Sequence, residues 1–76
     1  PVQQIGSIAV EFAKPATAKF VMFNAAGQQI EVLKEGRFIA GEHHVWFNVS
    51  NLPAGIYFIQ VDSDQGNFTE RVVVAK

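Results

Sequence analysis

Cysteine is absent from the chain, which excludes disulfides, thiolate metal sites and a cysteine nucleophile. It leaves the redox compartment open, because secreted proteins need not use disulfides. An excess of one charge is lacking too: six Lys and Arg stand against seven Asp and Glu, for a formal net charge of −1. That balance supplies neither a basic nucleic-acid footprint nor a polybasic membrane patch. No apolar run is long enough to span a bilayer, so direct membrane insertion is not expected. The sequence starts with Pro1 rather than methionine, and no signal peptide lies within it. The expectation is a single domain covering residues 1–76, cut from a longer precursor in which any export signal would lie upstream.

Catalytic signals are equally scarce. No serine stands in a nucleophile-elbow context, and no glycine run precedes a helix to cradle phosphate. The carboxylates Glu11, Glu31, Glu35, Glu42, Asp62, Asp64 and Glu70 are scattered. Asp62 and Asp64 flank a turn without a further ligand series, which favours turn chemistry over calcium. His43 and His44 are adjacent, and neighbours in a strand point to opposite faces, so they cannot readily chelate one metal together. His43 is expected to cap an inner row and His44 to face solvent. No enzyme activity, cofactor or metal is expected. The triplets Asn48-Val49-Ser50 and Asn67-Phe68-Thr69 are not read as glycan sites.

What the chain does hold is alternation. It has 76 residues, 49% of them hydrophobic, with seven phenylalanines besides Trp46 and Tyr57. Such heavy aromatic use can hold a small core without cross-links. Ile8, Val10 and Phe12 alternate as a strand, which Lys14-Pro15 ends. A strand over 18–23 and another over 28–33 flank the turn Asn24-Ala25-Ala26-Gly27 as a hairpin. Gly36 and Gly41 bracket a short edge strand or loop over 37–40. His43 to Val49, Ile56 to Ser63 and Phe68 to Ala75 complete the series. No sustained 3.6-residue period competes, and glycines punctuate the strands at short intervals. The pattern predicts an all-β antiparallel sandwich or small barrel of about six or seven strands. Phe20, Met22, Ile30, Val45, Phe47, Tyr57 and Ile59 are the expected core. Opposite parity would place Val21, Phe23 and Trp46 outward as a docking face.

The motifs then carry a resemblance. The runs Phe23-Asn24-Ala25-Ala26-Gly27-Gln28, Ala40-Gly41-Glu42-His43-His44-Val45, Asn51-Leu52-Pro53-Ala54-Gly55-Ile56-Tyr57-Phe58 and Thr69-Glu70-Arg71-Val72-Val73-Val74-Ala75-Lys76 occur in order. In that order and spacing the chain resembles the C-terminal sorting domains of the type IX (Por) secretion system of Bacteroidetes-type bacteria. The turn residues concerned are Asn24, Gly27, Gly41, His43, Gly55 and Tyr57. Asn24 stands where the family usually has aspartate, and the Asn-Pro element that often opens these domains does not occur.

The resemblance implies an immunoglobulin-like sandwich and a non-catalytic export address. It implies recognition of an attached upstream cargo domain in the periplasm, passage through the outer-membrane translocon to the cell surface or extracellular space of a Gram-negative bacterium, and removal by a surface sortase. Translocon recognition would fall on Arg71, Val72, Val73, Val74, Ala75 and Lys76 if the last strand lies at a sheet edge, where strand addition is available. The same edge would allow a weak strand-mediated dimer. Tyr57 is expected to turn its ring inward and to hydrogen-bond a loop carbonyl. Two other readings stay open: a structural or adhesive immunoglobulin-like module of a surface or flagellar hook-capping protein, and a carbohydrate-binding module using Trp46, Phe23 or Tyr57.

Overall fold

A computed structural model describes residues 5–75. Six strands follow one another: β1 (Ile5–Phe12), β2 (Ala16–Asn24), β3 (Gln29–Phe38), β4 (Gly41–Asn48), β5 (Gly55–Ser63) and β6 (Gly66–Val74). No helix interrupts them among the described residues. They form two antiparallel sheets of unequal width, β1-β4 and β3-β2-β5-β6. The hairpins β2–β3 and β5–β6 lie within the wider sheet, while the β1–β2, β3–β4 and β4–β5 connections cross between sheets. The result is the expected immunoglobulin-like sandwich.

Alternation decides what goes inside. Ile8, Val10 and Phe12 of β1 and Val45 and Phe47 of β4 point into the interlayer space. They meet Phe20 and Met22 of β2 and Tyr57, Ile59 and Val61 of β5, the two central strands of the wider sheet. Phe20, Met22, Ile59 and Val61 are the most completely buried side chains. Phe38 joins the cluster in tilted contacts with Phe12 and Phe20, at ring-centroid distances of 5.7 and 5.5 Å. Burying each large apolar side chain is worth roughly 1.5–3 kcal/mol, so these central positions dominate the stability of a chain this short.

The structure changes two expectations in β3. The strand does not stop before Gly36 but runs through it to Phe38. Ile30, expected in the core, is 36% exposed. The reason is register. Phe20 pairs with Lys34 and Val21 with Val32, which skips Leu33; Met22 pairs with Glu31 and Phe23 with Gln29, which skips Ile30. Each skip inserts an unpaired residue and resets the parity of the strand. Leu33, not Ile30, packs against the core. The inward row of β3 then continues through Lys34, whose ammonium lies 5.5 Å from the centroid of the Phe38 ring. The other six expected core residues are buried.

Gly6 carries a packing requirement that periodicity does not reveal. It sits opposite Phe47 in the β1–β4 ladder, and a Cβ added there would lie 2.5 Å from the Phe47 ring. The ring fills the space that any other residue's side chain would take. Gly6→Ala should therefore lower stability by about 1–3 kcal/mol through forced displacement of Phe47. Urea unfolding of the two proteins, read by Trp46 fluorescence, checks this; equal midpoints would show that the ring moves freely.

Candidate functional site: the edge strand and the turns that frame it

β6 pairs with β5 alone, from Gly55↔Val74 to Ser63↔Gly66, and forms one border of the wider sheet. Its other backbone edge is unpaired among the described residues, the condition for strand addition by a partner. Val74 is buried and Val72 half-buried, so these two anchor the strand. Arg71 and Val73 lie on the outer face and are exposed, Val73 at 62%. Ala75 follows the last paired residue and is exposed. Lys76 lies outside the described residues.

The motif residues all close turns. Asn24 Oδ1 accepts the backbone N–H of Ala26 at 3.0 Å and that of Gln28 at 2.9 Å, while its Nδ2 donates to Gln28 Oε1 at 2.9 Å. Gly27 N donates to Asn24 O at 3.0 Å, and Gly27 has φ of +87°, where a β-carbon would be strained. An aspartate would keep both backbone bonds and lose only the amide donor, so the family's usual residue and Asn24 serve the same turn. Gly41 and Gly55 open β4 and β5 with φ of +116° and +155°. His43 Nε2 donates to Ile39 O at 2.7 Å, and its ring packs edge-on to Phe38 at 5.1 Å and against Phe12 at 5.9 Å. It clasps the β3–β4 connection to the core rim. His44 points the other way, 3.3 Å from Glu42 Oε1.

Tyr57 turns its ring inward and donates its hydroxyl to Pro53 O at 2.6 Å, tying the loop before β5 to the core. Asp64 Oδ1 accepts Thr17 N at 3.2 Å, and Asp62 accepts Gln60 Nε2 at 3.1 Å. Both carboxylates thus hold polypeptide groups, and no group of three or more His, Cys, Asp or Glu suited to a metal occurs among the described residues.

The outward docking face is not one surface. Val21 and Phe23 belong to the wider sheet, and Trp46 belongs to the narrow one, so they lie on opposite outer faces of the sandwich. Val21 is only 5% exposed, being a central-strand residue flanked by Val32 and Gln60. Phe23 is half-buried. Trp46 is 65% exposed and stacks on His44 with centroids 6.3 Å apart. Sequence parity separates inward from outward but cannot say which sheet a strand joins. What it missed is a row across the wider sheet: Phe23 pairs with Phe58, and Phe58 with Arg71. Val73 and the partly exposed Ile56 pair beside it. Arg71 thus stands at the end of an aromatic row, next to the free edge.

The family comparison fits this architecture. The profile described as "Secretion system C-terminal sorting domain" matches residues 1–75. The chain belongs to that family. Its members are C-terminal sorting signals of type IX secretion, so this domain carries a secretion signal and works with the type IX machinery on an attached cargo. Export to the cell surface or extracellular space follows from that membership. No curated protein and no solved structure matches the chain.

Three substitutions test the turn assignments. Asn24→Ala removes the acceptor for two backbone donors and should cost about 1–2 kcal/mol, whereas Asn24→Asp should stay within about 0.5 kcal/mol. Tyr57→Phe should cost about 0.5–1.5 kcal/mol through the lost bond to Pro53. Chemical denaturation measures all three; a harmless Asn24→Ala would mean that the turn is closed by Gly27 alone.

Proposed function

We propose that this domain is a non-catalytic address read at its β6 strand, with Arg71 to Ala75 and the following Lys76 forming the recognition segment. The translocon adds a strand to the free edge of β6. Arg71 and Val73 provide side-chain specificity beside that ladder, and a surface sortase removes the domain after passage through the outer membrane. The observation that carries this reading is the edge position of β6 in a chain that belongs to the sorting family. A receptor that must accept unrelated cargoes needs a rigid, exposed strand on every one, and main-chain hydrogen bonds supply affinity without demanding one sequence. Val72 and Val74 point inward and hold the strand in place, which divides it into an anchoring face and a presented face. The same edge permits weak strand-mediated pairing of two copies.

The test separates recognition from folding. Arg71→Glu combined with Val73→Lys changes two exposed side chains and leaves Val72 and Val74 in place. The melt should stay within about 1 kcal/mol of the parent, as surface changes usually do. Surface delivery of a fused reporter should fall by about tenfold or more, with the reporter retained in the periplasm. Trp46→Ser serves as the comparison on the opposite face and should leave export unchanged. Normal delivery of the β6 variant, or loss of delivery with Trp46→Ser alone, would overturn the assignment to β6.

A further inference from the structure

The unequal sheets leave a strand-wide seam on the side where β6 borders the wider sheet. β1 pairs only with β4, so its second backbone edge is free among the described residues. Across the seam stands the inner face of β6. Phe68, Glu70 and Val72 pair with Val61, Ile59 and Tyr57, all buried residues of the inner face. By that pairing they too face inward, yet Phe68 is 43% exposed, Glu70 is exposed and Val72 is only half-buried. Inward side chains stay open to solvent when nothing lies opposite them.

Two hollows mark the ends of this seam. One, of about 230 Å³, lies between Ile5 and Gly6 at the start of β1 and Val72 to Ala75 at the end of β6. The other, of about 340 Å³, lies between Glu11 to Ala13 at the end of β1 and Gly66 to Phe68 at the start of β6. The strands therefore run antiparallel along the seam, and Glu70 stands midway. Gln65 closes the second end by donating from Nε2 to Lys14 O at 2.7 Å and to Pro15 O at 2.9 Å. The floor is apolar, acidic and apolar in succession. No basic side chain lines either hollow, and Glu70 has no ion pair among the described residues.

We propose that this seam is a receptor groove for one extended peptide strand of a partner. The strand pairs with the free edge of β1 and covers the inner face of β6. Its inward side chains follow the floor at a spacing of two: a branched apolar residue on Phe68, a basic residue against Glu70 and a second branched apolar residue on Val72. An occupant of about seven residues fits the length of β1 at about 3.3 Å per residue. The charge of Glu70 selects the partner's central residue, and the ladder along β1 sets its register. This site differs from the outer edge of β6 assigned to export, so either assignment can fail without the other.

The probe is a labelled peptide, Thr-Val-Thr-Lys-Thr-Val-Thr, titrated against the full chain by fluorescence anisotropy beside its glutamate counterpart, Thr-Val-Thr-Glu-Thr-Val-Thr. The lysine peptide should bind about tenfold more tightly, because the wrong sign at Glu70 repels. Hydrogen exchange should show new protection at β1 amides. Glu70→Lys should reverse the preference, and the near-isosteric Glu70→Gln should abolish it with an unchanged melt. Equal affinity of the two peptides, no binding at millimolar peptide, or protection confined to β6 would overturn the proposal. So would sedimentation showing that the chain self-associates through β1 at the same concentrations, since the occupant would then be a second copy.

Discussion

Every inward side chain of a sandwich needs a layer opposite it, and the described residues place four strands under two. The consequence is graded burial across the wider sheet. The central strands β2 and β5 lie fully under cover, and Phe20, Met22, Ile59 and Val61 are almost without solvent contact. At the borders the supply of cover ends, and the two border strands meet this differently. β3 slips register twice, turns Leu33 inward and lays Lys34 along the Phe38 ring, so its inner row is finished by an alkyl stem and a cation over an aromatic face. β6 has no comparable device. It is pinned near its end by Val72 and Val74 and otherwise presents its inner face to water.

The motifs that carry the family resemblance belong to the architecture rather than to chemistry. Asn24 and Gly27 close one hairpin, His43 clasps the β3–β4 connection, and Tyr57 ties down the loop through Pro53. Each pays the hydrogen-bonding needs of a loop backbone that no strand partner satisfies. Fixing these connections fixes where β6 must lie, because β6 is positioned by its ladder to β5, by Val72 and Val74 against the core, and by the turn that Ser63 and Asp64 tether. Ser63 Oγ donates to Gly66 O at 2.6 Å, and Asp64 N donates to Thr17 O at 3.2 Å. The recognisable residues and the presented residues are therefore different sets, joined through the fold.

Period-two alternation is enough to read all six strands, β3 only as far as Leu33, and most of the core, because a residue buried on one face leaves a mark at every second position. Tyr57 was legible for the same reason: an inward aromatic beside a Pro-Ala-Gly loop has one polar end and few places to put it. Three features lay outside that signal. The slips in β3 insert residues without changing composition, so Ile30 and Val32 look like a core row and are not one. Gly6 looks like a pause in a strand, and only the Phe47 ring opposite it explains its lack of a side chain. The separation of Trp46 from Val21 and Phe23 depends on which sheet each strand joins, and that is set by non-local pairing that no short window of sequence contains.

Free strand edges are a hazard for any small β protein, and charge is the usual guard. β3 carries Glu31, Lys34, Glu35 and Arg37, a dense alternation of signs along an exposed border. β6 carries Glu70 and Arg71 side by side, one directed to the inner face and one to the outer. β1 carries only Glu11, near its end, and Ile5 at its start is exposed. The edge that faces the uncovered floor of β6 is thus more lightly guarded than those of β3 and β6. Solvent alone gives no reason to leave that edge plain, since a single lysine on the outer face at Ser7 or Ala9 would protect it without touching the core. An edge left plain beside an acidic, half-apolar floor is better matched to a strand that arrives from elsewhere, and its one charged contact would supply the selectivity that backbone pairing lacks.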